Sequence, residues 1–455
     1  MSAKMNTQRS LWNKLVPVKI RHNVRLIFTS TLVILLLGAF LGSVQLRPIV
    51  FTTGGTLETN TVEFIKGNID FFDLSQPHSI YLSVDSYQLE ELQTNFLKLG
   101  EKSWIVADAI IDGTVIPSVG IRLKGNSTLF PLGGVTTPGG GENFPPTIGS
   151  PSFVNPATLP LLLSFSKFSE GRVYQGYSSL AIRTAANGGT AANDALALQL
   201  VADSGQYSQK YSFITMQVND SPSTTRLVIE NPNQGYAVGL NKGEGVLYQS
   251  RADNTFTYQG EDPNNYVEEI LQVSAIGVRD LSPVLELLNW IETVSDEVLD
   301  NEFGNWIDIP SFSKYVVTSD LLSNWDDMDG PGHNFLLWFD IEDDKFTVIN
   351  WDLNQSLSSE GVVLGEMLGF GLEGGAAQMW GENPLKSRFI NSEVFTDDIA
   401  SAYSELKNLW FGGELTNEII SIFSNIIPVT DTLTAEQIEN DLEKLKYFIE
   451  EWNVF

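Results

Sequence analysis

The stretch DDMDGPGHNFLLWFDIEDDKFTVINWDLNQS, residues 326–356, decides how the chain is read. Two apolar runs, 335–340 and 345–350, flank a polar turn at Glu342-Asp343-Asp344 and predict an antiparallel β-hairpin. Asp326, Asp327 and Asp329 stand before the hairpin, and Asp352 stands just past it. Carboxylates beside a core are costly unless something pairs them, and a metal ion is the usual partner. Antiparallel pairing brings Asn334 and Asp352 to the same end, within reach of one ion. Two or three protein oxygens completed by phosphates and water is how Mg2+ is commonly held.

The interval from Asp329 to Asn334, followed by an aspartate after the next strands, repeats the spacing of a kinase catalytic loop and its metal-binding acid. The interval alone is unspecific in an acidic chain. Asp326, Asp327, Asp343 and Asp344 are read as acids that solvate turns. An EF-hand is excluded, because a loop starting at Asp327 puts Pro331 and Trp338 where ligands are required. A glycosidase acid pair stays open, since sequence does not set the separation of carboxylates. A zinc hydrolase is disfavoured, because only His78 and His333 lie beyond the N-terminal segment.

The charge distribution extends the picture. The formal net charge is -29, yet the first 47 residues hold seven Lys and Arg and no acid. The remainder carries 20 basic against 56 acidic side chains, a balance of about -36. Such a surface repels phosphate backbones, which argues against nucleic acid as a partner. The absence of cysteine removes disulfides, thiolate metal sites and cysteine nucleophiles. Residues 1–25 form a basic segment expected in the cytoplasm, and residues 26–46, LIFTSTLVILLLGAFLGSVQL, are long and apolar enough to span a bilayer. A signal anchor is expected there, with a cleaved signal peptide as the rival. Either places the acidic body outside the cytoplasm.

Residues 47–77 read as a linker with a short ordered end, and 78–455 as the folded domain. Strands are expected at HSIYLSV (78–84) and YSSLAIR (177–183), and hairpins across Asp112-Gly113 and across the polar turn near 220. Residues 130–160 are rich in Gly and Pro and predict a mobile surface insertion or lid. Beyond about residue 258 helices dominate, ending in a segment that opens with a capping box, Thr434 to Gln437. The expected class is α+β, with a β-rich half at about 78–258 and a helical half at about 259–455 that carries the acidic hairpin at its mouth.

GIRLKGNST, LVIE, GVLYQS, the block HNFLLWFD…DKFTVINWDLNQS and NPLKSRFINSEVF together resemble the CotH kinase family, in consistent order over roughly 78–450. The resemblance implies a reduced, atypical protein-kinase-like two-lobed fold. It implies ATP as substrate, Mg2+ or Mn2+ as cofactor, and a serine- or threonine-bearing acceptor protein at the cell surface. On that likeness Asp329 corresponds to the catalytic aspartate, Asn334 and Asp352 to metal ligands, and His333 to the family's HN position. Lys124 and Arg122, with Gly125 and Asn126, are expected to contact nucleotide, as is Glu230. One departure stands out: TLPLLLSFSKF has leucines at 161–163 where relatives carry a basic residue, with Lys167 kept further on. Either Lys124 or Arg183 is then expected to neutralise phosphate, or ATP binding is weak. A catalytically silent surface protein acting in adhesion or envelope assembly is the alternative. A carbohydrate-active enzyme is a third.

Overall fold

A computed structural model describes residues 63–135, 150–184, 189–252, 254–277, 279–357 and 382–452. The apolar segment 26–46 lies outside the described residues. Among the described residues no helix is long and apolar enough to cross a membrane.

The N-terminal half is a closed barrel of seven strands. β1 (Phe64–Ile65) lies outside it, paired with β6 (Val173–Tyr174). The barrel runs β2 (His78–Ser83), β3 (Ile105–Ile111), β4 (Thr114–Leu123), β5 (Leu161–Ser164), β7 (Ser179–Arg183), β9 (Thr224–Glu230) and β8 (Tyr211–Val218). Strictly alternating directions cannot close an odd number of strands, and the single parallel seam falls between β2 and β8. Alternation sends Ile80, Leu82, Ile111, Ile121, Leu123, Leu161, Leu163, Ile182, Ile214 and Met216 into one apolar interior. Each such side chain contributes about 1.5–3 kcal/mol on burial. The β3–β4 turn is Asp112-Gly113, both at positive φ, as a tight hairpin turn requires. A bulge opposite Asp108, where Asp108 accepts from the Ser118 amide, bends the pair toward closure.

α1 (Ser86–Leu99) lies against the barrel, and α2 (Ala192–Asp203) packs on its outer face with α9 (Leu415–Ile426) and α10 (Ala435–Trp452). The capping box that opens α10 forms in both directions, Thr434 with Gln437. Between β9 and the second sheet sits the short α3 (Gln234–Gly239). The second sheet has the order β11 (Ile270–Gln272), β10 (Gly245–Ser250), β12 (Phe335–Asp340), β13 (Lys345–Asn350). α4 (Ser282–Thr293), α5 (Asp296–Trp306), α6 (Ile309–Leu321), α7 (Pro384–Asn391) and α8 (Thr396–Phe411) complete the helical half. The class is α+β, β-rich first and helical second.

The β12–β13 register, Phe335 opposite Asn350 through Asp340 opposite Lys345, is the one read from the sequence. Two expectations need correcting. The division between halves falls before β10, not near 258, because β10 pairs with β12 in the hairpin's own sheet. Within the proposed insertion, residues 136–149 lie outside the described residues, but 150–160 is no mobile lid. Ala157 and Leu159 are fully buried, and the buried Arg226 donates to the Ala157 carbonyl. A buried guanidinium needs that oxygen, and Gly and Pro content does not reveal it. The end of the linker is likewise built in, with Phe71 wholly buried.

Candidate functional site

The cationic side of the site grows out of strand alternation. Across three strands Arg122 pairs with Leu162 and Leu162 with Ala181, a row on the outer face of the barrel. Leu161 and Leu163 point inward, so only Leu162 of the three leucines stands on the face that carries charge. At the same end lie Lys124, just past β4, and Arg183, closing β7. Both reach the face of Trp351, Lys124 at 5.4 Å and Arg183 at 5.7 Å from the ring centre. The Arg183 guanidinium bridges two acids, Asp352 at 2.6 Å and Asp194 on α2 at 3.2 Å. Asp194 is buried, and desolvation lifts its carboxyl to about 6, against the pull of Arg183. Burial lowers Lys124 to about 8, with Asp352 partly opposing that shift.

Lys102 holds the loop that follows Lys124, donating to the Gly125 carbonyl and the Asn126 side chain. Gly125 has a φ of +100°, and a Cβ there would strike the Thr128 hydroxyl. Arg122 lies over Trp104 at 5.1 Å, and its buried Nε has no hydrogen-bond partner. Its pKa is lowered by burial and then by the charge of Arg251.

The acidic side is the loop before β12. Asp326 accepts from the Gly332 amide at 2.6 Å and from the Asn334 side chain at 3.0 Å. The Asn334 amide also donates to the Asp326 carbonyl at 2.8 Å. A side chain on Gly332 would collide with the Asn334 amide and the Asp326 carboxylate, so glycine is what lets this loop fold on itself. Burial pushes the Asp326 carboxyl up to about 7, and the nearby charges of Asp352 and Asp327 add to the effect. Asp329 is held on both oxygens: one accepts from the Asn383 amide at 2.8 Å and the other meets Lys386 at 2.7 Å. Asp327, almost fully buried, holds the same Lys386 at 2.6 Å. His333, at a φ of +45°, directs Nδ1 to the Met328 carbonyl at 3.0 Å, which leaves Nε2 as the acceptor in the neutral ring.

The structure therefore gathers Lys124, Arg183, Asp352, Asn334 and Asp326 at the seam of barrel and hairpin. It places Glu230 apart. Glu230 pairs with Leu180 while Arg183 pairs with Leu227, a separation of about 10 Å along β7. Its carboxylate accepts from the Lys210 backbone instead, and burial raises its pKa. Lys167 is exposed, packs against Gly120 and lies over Trp104 at 5.4 Å, the same ring that Arg122 covers.

Asp326 and Asp327 are not the solvated turn acids the sequence suggests; only Asp343 and Asp344 are exposed. Lys102, Asp194 and Lys386 went unread as well. Asp194 had a signal: it is an acid in the first turn of a helix that is apolar on almost every face.

Among the described residues no group of three or more His, Cys, Asp or Glu is arranged to hold a metal. The donors at the seam are two carboxylates, Asp326 and Asp352, and the Asn334 amide. That oxygen set suits Mg2+ or Mn2+, and among the described residues no Lys or Arg pairs with Asp326.

An α+β protein with a cationic barrel face set against an acid-bearing hairpin is the class that fold and site define. The family model described as CotH kinase protein matches residues 159–453, well over half of the chain. The chain belongs to that family. No curated protein matches it.

Proposed function

We propose that this chain is an atypical protein kinase with a reduced, kinase-like two-lobed fold. It would pass the γ-phosphoryl group of ATP to a serine or threonine of a surface or envelope protein. The observation that carries this reading is the seam itself: Lys124 and Arg183 on one wall, Asp326, Asn334 and Asp352 on the other. Supporting it, β7 reads S-L-A-I-R, the shape of the kinase V-A-I-K strand with Arg183 in the lysine position. Its partner Asp194 sits on the following helix, as the kinase strand lysine pairs with a helix glutamate.

On this reading Lys124 and Arg183, with Arg122 beside them, neutralise the phosphates. Asn334, Asp352 and Asp326 would hold the divalent ion, which when bound offsets phosphate charge. Asp329 orients the acceptor hydroxyl and takes its proton. The new bond joins the acceptor oxygen to the γ-phosphorus, the bond from that phosphorus to the bridging oxygen breaks, and ADP leaves. His333, whose Nε2 has no hydrogen-bond partner among the described residues, stands four residues along the same loop from Asp329 and is the second base available. Glu230 takes no part. Residues 26–46 anchor the protein, with the acidic body and its acceptor outside the cytoplasm.

A catalytically silent envelope protein is the second reading. The apolar Leu162 on the cation row and the direct Arg183–Asp352 contact favour it. Labelled ATP with Mg2+ or Mn2+ separates the two. A kinase labels itself or a serine-rich acceptor, and loses that activity in Asp352→Asn and Asp326→Asn while staying folded. A chain that neither binds ATP with metal by calorimetry nor releases ADP is no kinase.

A further inference from the structure

α7 is a rigid element. Asn383 caps it, accepting from the Leu385 amide, and Pro384 pre-sets its first turn. Leu385 and Phe389 are wholly buried, and the Phe389 ring packs 4.6–5.0 Å from Phe303, Phe312 and Phe395. Arg388 donates to the Ile291 and Val294 carbonyls at the end of α4. From this fixed helix Lys386 reaches into the acidic loop, where two of its three ammonium hydrogens are taken by Asp327 and Asp329. Asp329 is thus held at both oxygens by one helix, through Lys386 and through the Asn383 amide. A carboxylate tied at both ends cannot rotate about its χ2.

We propose that Lys386 is a positioning residue for phosphoryl transfer, fixing Asp329 in the orientation that meets the acceptor hydroxyl. The proposal rests on the kinase reading. Asp327 has the complementary task. It shares the lysine, so the ammonium is held between two carboxylates and the three groups together carry one negative charge. Lys386 itself stays protonated before and after transfer. The lysine is 14% exposed at its side chain and the two acids 5% and 17%, so water does not substitute for these contacts.

Lys386→Met alone strands two buried acids, so the test uses the charge-matched pair Asp327→Asn with Lys386→Met, and separately Lys386→Arg, in the full chain. With Asp329 freed, kcat should fall about 100-fold in the double variant at an unchanged KM for ATP. Arginine keeps the charge but shifts the donors, and kcat should fall about tenfold, again at constant KM. A purely structural lysine would move the melting temperature and leave kcat alone. A folded double variant with wild-type kcat, or a loss confined to KM, overturns the proposal. If the double variant does not fold, Lys386→Arg decides, and undiminished kcat there overturns it too. A wild-type protein that transfers no phosphoryl group refutes the kinase reading first, a different result from an active protein indifferent to Lys386.

Discussion

Replacing Arg183 by methionine should separate what this residue does for the fold from what it does for a ligand. Its guanidinium lies 3.2 Å from a carboxylate oxygen of Asp194, which is 2% exposed. At an effective dielectric of about 20 that contact is worth about 5 kcal/mol of Coulomb energy before desolvation. The other Asp194 oxygen is buried without a partner, so Arg183 is its sole compensation among the described residues. Removing one member of such a pair costs about 3–5 kcal/mol, a large part of the 5–15 kcal/mol that holds a typical domain. The cost should depend on pH. A carboxyl whose folded pKa is above its unfolded one binds the extra proton in the folded state, so its stability contribution falls as pH climbs. Asp194 already stands near 6, and without Arg183 it rises further. Urea unfolding followed by tryptophan fluorescence should show a larger penalty at pH 8 than at pH 5. Adding Asp194→Leu should recover most of the stability, yet calorimetric ATP binding should stay lost. A single variant that costs under about 1 kcal/mol at pH 8, or a double variant as unstable as the single, would refute the reasoning.

Three further outcomes are expected. Both nitrogens of the buried His78 face acceptors, the Asp112 carboxylate at 2.8 Å and the Asp73 carbonyl at 2.9 Å. Burial disfavours its charge, but these contacts prevail and its pKa is raised. Its contribution is therefore full below the unfolded value of about 6.5 and lost as pH rises through the folded one. His78→Gln should cost about 1.5–3 kcal/mol at pH 5.5 and clearly less at pH 9, read from urea midpoints. Asp326→Asn removes a half-buried charge beside Asp352, so it should raise stability at pH 8 by on the order of 1–2 kcal/mol while abolishing metal-dependent ATP binding. A destabilised variant would show that Asp326 is a structural acid. Gly125→Ala forces a side chain into left-handed backbone against Thr128 and should cost about 1–3 kcal/mol, with ATP affinity falling in parallel, by calorimetry.

The hairpin was legible because period-two alternation, a polar turn and its length all agreed, and one register alone buries both strands. The cap on α10 and the Asp112-Gly113 turn were legible for the same reason: their chemistry is local. Barrel closure was not, since the β2–β8 seam joins residues more than 130 positions apart and leaves no local mark. Within the site, Asp352 and Asn334 could be placed because they flank a readable register. Lys386 comes from a helix 57 residues beyond Asp329, and nothing near either residue announces the other. The opposite error arose at Asp326 and Asp327. Acids in a Gly-Pro-Gly turn look solvated until the fold covers them. Glu230 lies about three residues along β7 from Arg183, because strand position along a barrel sets which end a side chain occupies and sequence order does not.

The odd strand count has a practical meaning for anyone trimming the gene. The family match begins at residue 159, downstream of β2, β3 and β4. A fragment started there would lose three of seven staves, bare the apolar lining along both β5 and β8, and discard Arg122 and Lys124 as well. Such a fragment should aggregate through its two raw edges. On the ribosome the same geometry delays completion, since the barrel closes only once β8 and β9, residues 211–230, have been made.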